Sequence, residues 1–182
     1  MMIGNTRKFL IVLSILAMQY CSVGATVLTV SSRETSNGIA NNIITYVKEH
    51  PTESALTITF EDTIPSTVRT AILNKTFSEL AKENLTQQIT TLNLSDNRLT
   101  KPPVVTGFSA LQLLDLAYNK LDVPPVLTGL SDLQNLLLSN NQLTSAPNLA
   151  GLSELKWLDL SDNQLAVPPV LTDVPPGDVI PI

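Results

Sequence analysis

Residues 155–165 read LKWLDLSDNQL, and three earlier segments share their frame: ITTLNLSDNRL at 89–99, LQLLDLAYNKL at 111–121 and LQNLLLSNNQL at 133–143. Each fits L-x-x-L-x-L-x-x-N-x-L, with Ile89 the one departure. The copies begin 22 residues apart, so 89–110, 111–132, 133–154 and 155–176 follow each other without a gap. A unit recurring at such a period cannot bury its apolar side alone and signals a stacked array.

Within each copy two leucines sit two residues apart: Leu92 and Leu94, Leu114 and Leu116, Leu136 and Leu138, Leu158 and Leu160. That is the spacing of one face of a β-strand. It predicts one short strand per copy, stacked in parallel over a continuous leucine core. Asn97, Asn119, Asn141 and Asn163 fall where the chain leaves the strand. A buried Asn offers both an acceptor and a donor, so these four predict a structural ladder. The return halves read KPPVVTGFSA, DVPPVLTGLSD, TSAPNLAGLSE and AVPPVLTDVPP. Proline lacks an amide donor and fixes φ, so these segments predict extended or 3₁₀ backbone instead of a helix. Val105, Leu127, Leu149 and Leu171 are expected to point inward, as are Phe108, Leu130, Leu152 and Val174. Gly107, Gly129 and Gly151 mark the bends between them.

The frame resembles the leucine-rich repeat signature. Its 22-residue period is similar to the class found in bacterial internalins and in the leucine-rich regulatory subunit of type 1 protein phosphatase. The resemblance covers residues 89–176. It implies an α/β solenoid with a parallel sheet on the concave face and an irregular or 3₁₀ convex side. It also implies binding of a protein or peptide without catalysis. One departure stands out: where internalins carry an inward Ile after the Asn turn, this chain has Pro102, Pro124, Ala146 and Pro168.

Residues 1–25 read as a secretory signal peptide. Arg7 and Lys8 form a basic start, FLIVLSILAM at 9–18 an apolar run, and Val23-Gly24-Ala25 a small-residue cleavage site. A transmembrane anchor would need roughly 20 apolar residues. A lipid-bearing Cys21 would need small residues before it, where Met18-Gln19-Tyr20 stand. Cleavage predicts a secreted or envelope protein with no membrane span and no cysteine in the mature chain. Residues 177–182 form a short tail with no evident capping helix, and the open strand edge there predicts self-association.

A solenoid exposes its core at each end and needs a cap. Residues 26–88 are expected to supply a mainly helical one with one strand. A first helix over 32–49 would put Ile39, Ile43 and Val47 on one face, with Ser31 and Glu34 as a capping box and Pro51 ending it. LTITF at 56–60 alternates as a strand. A second helix from Pro65 to about Asn84 would turn Val68, Ile72, Phe77 and Leu80 inward. The alternative is a separate small domain, although about 60 residues is marginal for independent folding.

Net charge is −5, with a single Cys and a single His. Nothing there draws the chain to nucleic acid, and a structural zinc site would need about four Cys and His ligands. No metal, cofactor or catalytic residue is expected. An enzyme reading would rest on Glu49, His50, Glu53, Glu61 and Asp62, which form no recognisable motif. His50 reads instead as a helix C-terminal cap.

Outward strand residues carry the functional expectation. One row is Thr91, Leu113, Asn135 and Trp157; the next is Asn93, Asp115, Leu137 and Asp159. A third is Ser95, Ala117, Ser139 and Ser161, edged by Asp96, Tyr118, Asn140 and Asp162. The core positions repeat and these vary, as a recognition surface does. Leu113, Asp115, Tyr118, Asn135, Leu137, Trp157 and Asp159 are the expected partner-binding residues, Tyr and Trp being common interface anchors. The partner expected is a protein or peptide with an apolar patch beside Lys or Arg. A passive structural or adhesion role on an envelope is the alternative. Four strands offer roughly 200–350 Å², against about 800 Å² per partner in a standard interface.

Overall fold

The computed structural model describes residues 25–30, 36–60 and 64–170. The apolar leader, the Ser31–Glu34 capping box, Glu61, Asp62, Leu171, Val174 and the tail with its open edge lie outside them. The elements are β1 (Ala25–Val30), α1 (Ser36–Glu49), β2 (Ala55–Phe60), α2 (Ser66–Lys82), a 3₁₀ turn at Thr86–Gln88, and the short strands β3 (Thr91–Asn93), β4 (Leu113–Asp115), β5 (Asn135–Leu137) and β6 (Trp157–Asp159). They form one six-stranded parallel sheet in the order β1 to β6.

Each repeat contributes one strand, as its leucine spacing requires. Register is kept from coil to coil: Leu92 pairs with Leu114, Leu114 with Leu136, and Leu136 with Leu158. The inward leucines, from Leu92 and Leu94 to Leu158 and Leu160, are buried. Val105, Leu127 and Leu149 close the core from the convex side, with Phe108, Leu130 and Leu152 beside them. The convex segments hold no helix among the described residues. Gly129 (φ +87°) and Gly151 (φ +81°) make their bends in the left-handed region, which glycine enters without strain. In the proline segments the buried position is the second one. Pro103, Pro125 and Pro147 lie in the core, while Pro102, Pro124 and Ala146 are half-buried. The expected replacement of an inward residue at 102, 124 and 146 is therefore displaced by one residue.

The asparagine ladder forms. Asn119 Oδ1 accepts from the Asn97 and Leu99 amides (3.1 and 2.9 Å), and its Nδ2 donates to the Leu94, Leu116 and Ala117 carbonyls (3.0, 3.0 and 3.1 Å). Asn141 and Asn163 make the same kind of bridge one and two coils on. Buried turn groups that no strand partner reaches are satisfied this way.

The cap differs from expectation in one main respect. It holds two strands, not one. ATVLTV at 25–30 pairs with β2 along its whole length, from Ala25 with Ala55 to Val30 with Phe60. Ala25, expected as the last residue of a leader, is the first residue of this strand. β2 then pairs with β3, Leu56 opposite Leu92, so the repeat sheet runs on through the cap. The helices match more closely. α1 starts at Ser36 and buries Ile39, Ile43 and Val47. It ends where the His50 ring stacks on Tyr46 (centroids 4.1 Å apart) and its Nδ1 donates to the Tyr46 carbonyl (2.9 Å). α2 closes with Asn84 left-handed (φ +58°), the Asn84 amide on Ala81 O and the Leu85 amide on Leu80 O.

Ile72, Phe77 and Leu80 of α2 are buried as expected, but Val68 is 41% exposed and its neighbour Arg69 is 2% exposed. Arg69 is inward because the seam between cap and repeats needs donors. Its Nε donates to Ile64 O (2.9 Å) and its Nη1 to Asn97 O (2.6 Å), with the guanidinium 5.7 Å from the Phe60 ring centre. Asn97 completes the seam: it accepts from the Phe60 amide (2.8 Å) and donates to Ile58 O (2.7 Å). Phe77 meets Phe108 edge to face at 4.9 Å.

Candidate interaction face

The open face of the sheet is built by the residues that alternate with the core leucines. Strand register lines up Ala55, Thr91, Leu113, Asn135 and Trp157 in one row and Thr57, Asn93, Asp115, Leu137 and Asp159 in the next. Six strands, rather than the four of the repeats alone, widen this face to about 24 Å at about 4.8 Å per step. The widening is uneven in chemistry. At the cap end the face shows Ala55, Thr57, Thr59, Thr91 and Asn93; bulk and charge begin at Leu113.

Of the expected binding residues, Trp157 is 39% exposed and Tyr118 61%, while Leu113, Asp115, Asn135, Leu137 and Asp159 are half-buried. Register brings Leu113, Asn135 and Trp157 together, and Asp115, Leu137 and Asp159. Tyr118 stands apart on the rim beyond the strands. The third row does not belong to the face throughout, since Ala117 and Ser139 are buried.

The aspartates have a structural task that the alternation pattern did not reveal. Asp115 Oδ1 accepts from the Ala117 amide (2.9 Å), and Asp159 Oδ1 from the Ser161 amide (3.0 Å) and hydroxyl (2.6 Å). Asn93 does the same for Ser95 (2.9 and 2.7 Å). These are turns in which an Asx side chain bonds the backbone two residues on. The signal was present as Asn-Leu-Ser at 93–95 and Asp-Leu-Ser at 159–161. Burial raises the Asp115 carboxyl above its usual range; the Ala117 amide opposes this and the charge of Asp159 adds to it.

The rim position carries a backbone constraint of its own. Asp96, Tyr118, Asn140 and Asp162 all take left-handed backbone, with φ between +52° and +55°. Asp and Asn tolerate that region, whereas a bulky side chain there is uncommon. Comparing the four copies would have marked Tyr118 as the odd member. On the convex side the structure also exposes Val104, Val126 and Val170, one per coil except the third, which carries Asn148.

Among the described residues no group of three or more His, Cys, Asp or Glu could hold a metal ion. No helix among them is long and apolar enough to cross a membrane.

A family model described as Leucine Rich Repeat matches residues 88–108 and 154–177, which cover most of the first copy and all of the last. No curated protein matches the chain. Among solved structures, an internalin from Listeria monocytogenes is 25% identical over 69% of this chain, with a TM-score of 0.49. A second internalin of that species is 21% identical over 70%, also with a TM-score of 0.49. The matched parts are 32% and 60% of those two proteins, so the chain spans less than two thirds of either. Coil period, leucine register, asparagine ladder and the two matched segments together make residues 89–170 an array of leucine-rich repeats.

Proposed function

We propose that the protein is an exported or cell-surface binding module that holds a protein or peptide against the concave face of its sheet and has no catalysis of its own. The observation that carries this reading is the contrast between frame and face. Inward positions are leucine in coil after coil. The outward row places Leu113 and half-exposed Trp157 where the first and third coils have Thr91 and Asn135. The fold needs neither side chain, since the same backbone is made with Thr and Asn. Tyr118 supports the reading further, because an exposed aromatic occupies a left-handed position that its counterparts give to Asp or Asn. Backbone outliers held at a cost cluster at binding sites.

Two of the groups that an enzyme would draw on in the cap, His50 and Glu53, have structural partners. Tyr46 donates its hydroxyl to Glu53 (2.6 Å) and His50 caps α1. Export is read from residues 7–25, and fusing residues 1–25 to a secretion reporter tests it. Affinity capture with residues 25–182, which keep β1 whole, identifies the partner. The Trp157→Ala/Leu113→Ser variant is then expected to weaken binding of that partner at least about tenfold. Unchanged binding overturns the concave-face reading, and retention of no specific partner favours a passive envelope role.

A further inference from the structure

We propose that the segment received on this face is basic: an extended stretch of a partner protein in which an apolar residue lies between two Lys or Arg side chains about 10 Å apart. The inference rests on the concave-face reading and sharpens the expected apolar patch beside Lys or Arg to an extended segment with two cations at a fixed spacing.

Register places Asp115, Leu137 and Asp159 side by side on adjacent strands. At about 4.8 Å per strand the two carboxylates stand about 10 Å apart with Leu137 between them. Each gives one oxygen to its own turn, and neither is paired with a cation among the described residues. Asn93 shows that the turn requires an acceptor and not a charge, because it holds Ser95 with a neutral side chain in the same row. The two negative charges are thus surplus to folding, and like charges in one row of a sheet cost stability.

The neighbouring row supplies what a cationic side chain needs besides a counter-charge. Leu113 and Trp157 offer apolar surface for the stem of a Lys or Arg, and an indole ring attracts its head. Basic side chains keep to the borders: Lys156 before the strand, Arg98 and Lys120 beyond the rim. The face is also small. Its width of about 24 Å matches about seven extended residues at about 3.3 Å each, and its area falls short of the roughly 800 Å² a folded partner needs. A polyproline-type segment returns to one side every third residue, a repeat of about 9.3 Å, which matches the carboxylate spacing.

Trp157 is the single tryptophan of the chain and reports directly on the site. The test titrates the protein with a tryptophan-free peptide, acetyl-Pro-Lys-Pro-Leu-Lys-Pro-Pro, and with the same peptide carrying Glu for both Lys. The Lys peptide is expected to shift Trp157 emission saturably, to bind at least about tenfold more tightly than the Glu peptide, and to weaken from about 50 to about 500 mM NaCl. Asp115→Asn/Asp159→Asn keeps the turn acceptors; it is expected to keep its melting temperature or raise it while losing the preference. Equal or reversed affinity for the two peptides overturns the proposal. So does no response to either, or a preference that survives in the Asn/Asn variant. If the Lys peptide fails while Trp157→Ala/Leu113→Ser still releases the captured partner, only the partner chemistry is wrong. If that variant keeps its partner, the face itself is wrong.

Discussion

The cap and the repeats build the same sheet with opposite return paths. From Ala25 to Ala55 the chain uses 30 residues for one coil, and from Ala55 to Thr91 it uses 36, because each return carries a helix. From Thr91 onward each coil takes 22 residues and returns through proline-rich extended backbone. Strand pairing continues across the junction, so the sheet accepts either path. What must be conserved is the satisfaction of the polar groups where the chain leaves the strand. In the repeats one Asn per coil does this. At the junction Asn97 bonds backward into β2, and Arg69 of α2 covers the carbonyl of Asn97 itself. The lesson is that the two halves share one core and one hydrogen-bond ladder, and are expected to unfold together.

The largest effect expected from breaking this arrangement is in the middle of the ladder. Asn119→Ala leaves the Asn97 and Leu99 amides and the Leu94 carbonyl without their partner, while the Leu116 and Ala117 carbonyls keep Asn141 Nδ2 and the Asp96 amide; it should cost about 3–5 kcal/mol by urea unfolding. Asn163 is half-buried, and Asn163→Ala should cost less than half as much. Equal costs would show that burial does not set the strength of the ladder. Next comes the seam. Arg69→Met keeps the apolar stem but removes both donors, and should cost about 2–3 kcal/mol. Amide exchange should then accelerate in cap and repeats alike; acceleration confined to 36–82 would mean that the cap unfolds by itself.

Smaller changes should act in the opposite direction, on the binding face. Tyr118→Asn restores the residue type that suits left-handed backbone and is expected to stabilise by about 1 kcal/mol, visible as a raised melting temperature, while weakening partner binding. Asp115→Asn should stabilise by less than about 1 kcal/mol, a gain that builds as pH rises from the unfolded carboxyl's range to the raised folded one and is complete above it. The sign follows from burial. The folded carboxyl holds its proton to higher pH than the unfolded one, so stability falls as pH rises from the unfolded value to the folded value and is constant above it. Below the unfolded value both states are protonated and the gain should vanish, which unfolding curves at pH 3 and pH 7 would show.

Much of this was legible in the residues. The four copies of L-x-x-L-x-L-x-x-N-x-L announce strand, turn and ladder, because each position has one geometric job repeated at one period. α1 and α2 were legible in outline from their apolar spacing and flanking prolines. β1 was not: ATVLTV alternates with little contrast, and its partner lies 30 residues on. Arg69 was missed because a charged residue reads as solvent-facing until the carbonyls it serves are in place. The face was legible as a set of rows, but not the double role of Asp115 and Asp159.

The sequence by itself determined the period, the core leucines, the asparagine ladder and the rows of variable residues, since all of these follow from local spacing. Tertiary structure alone decided that the cap joins the sheet with two strands, that Arg69 turns inward, and that Tyr118 stands in a left-handed turn on the rim. Those outcomes depend on which backbone groups lack a partner once the coils are stacked, and that is known only after residues distant in the chain have met.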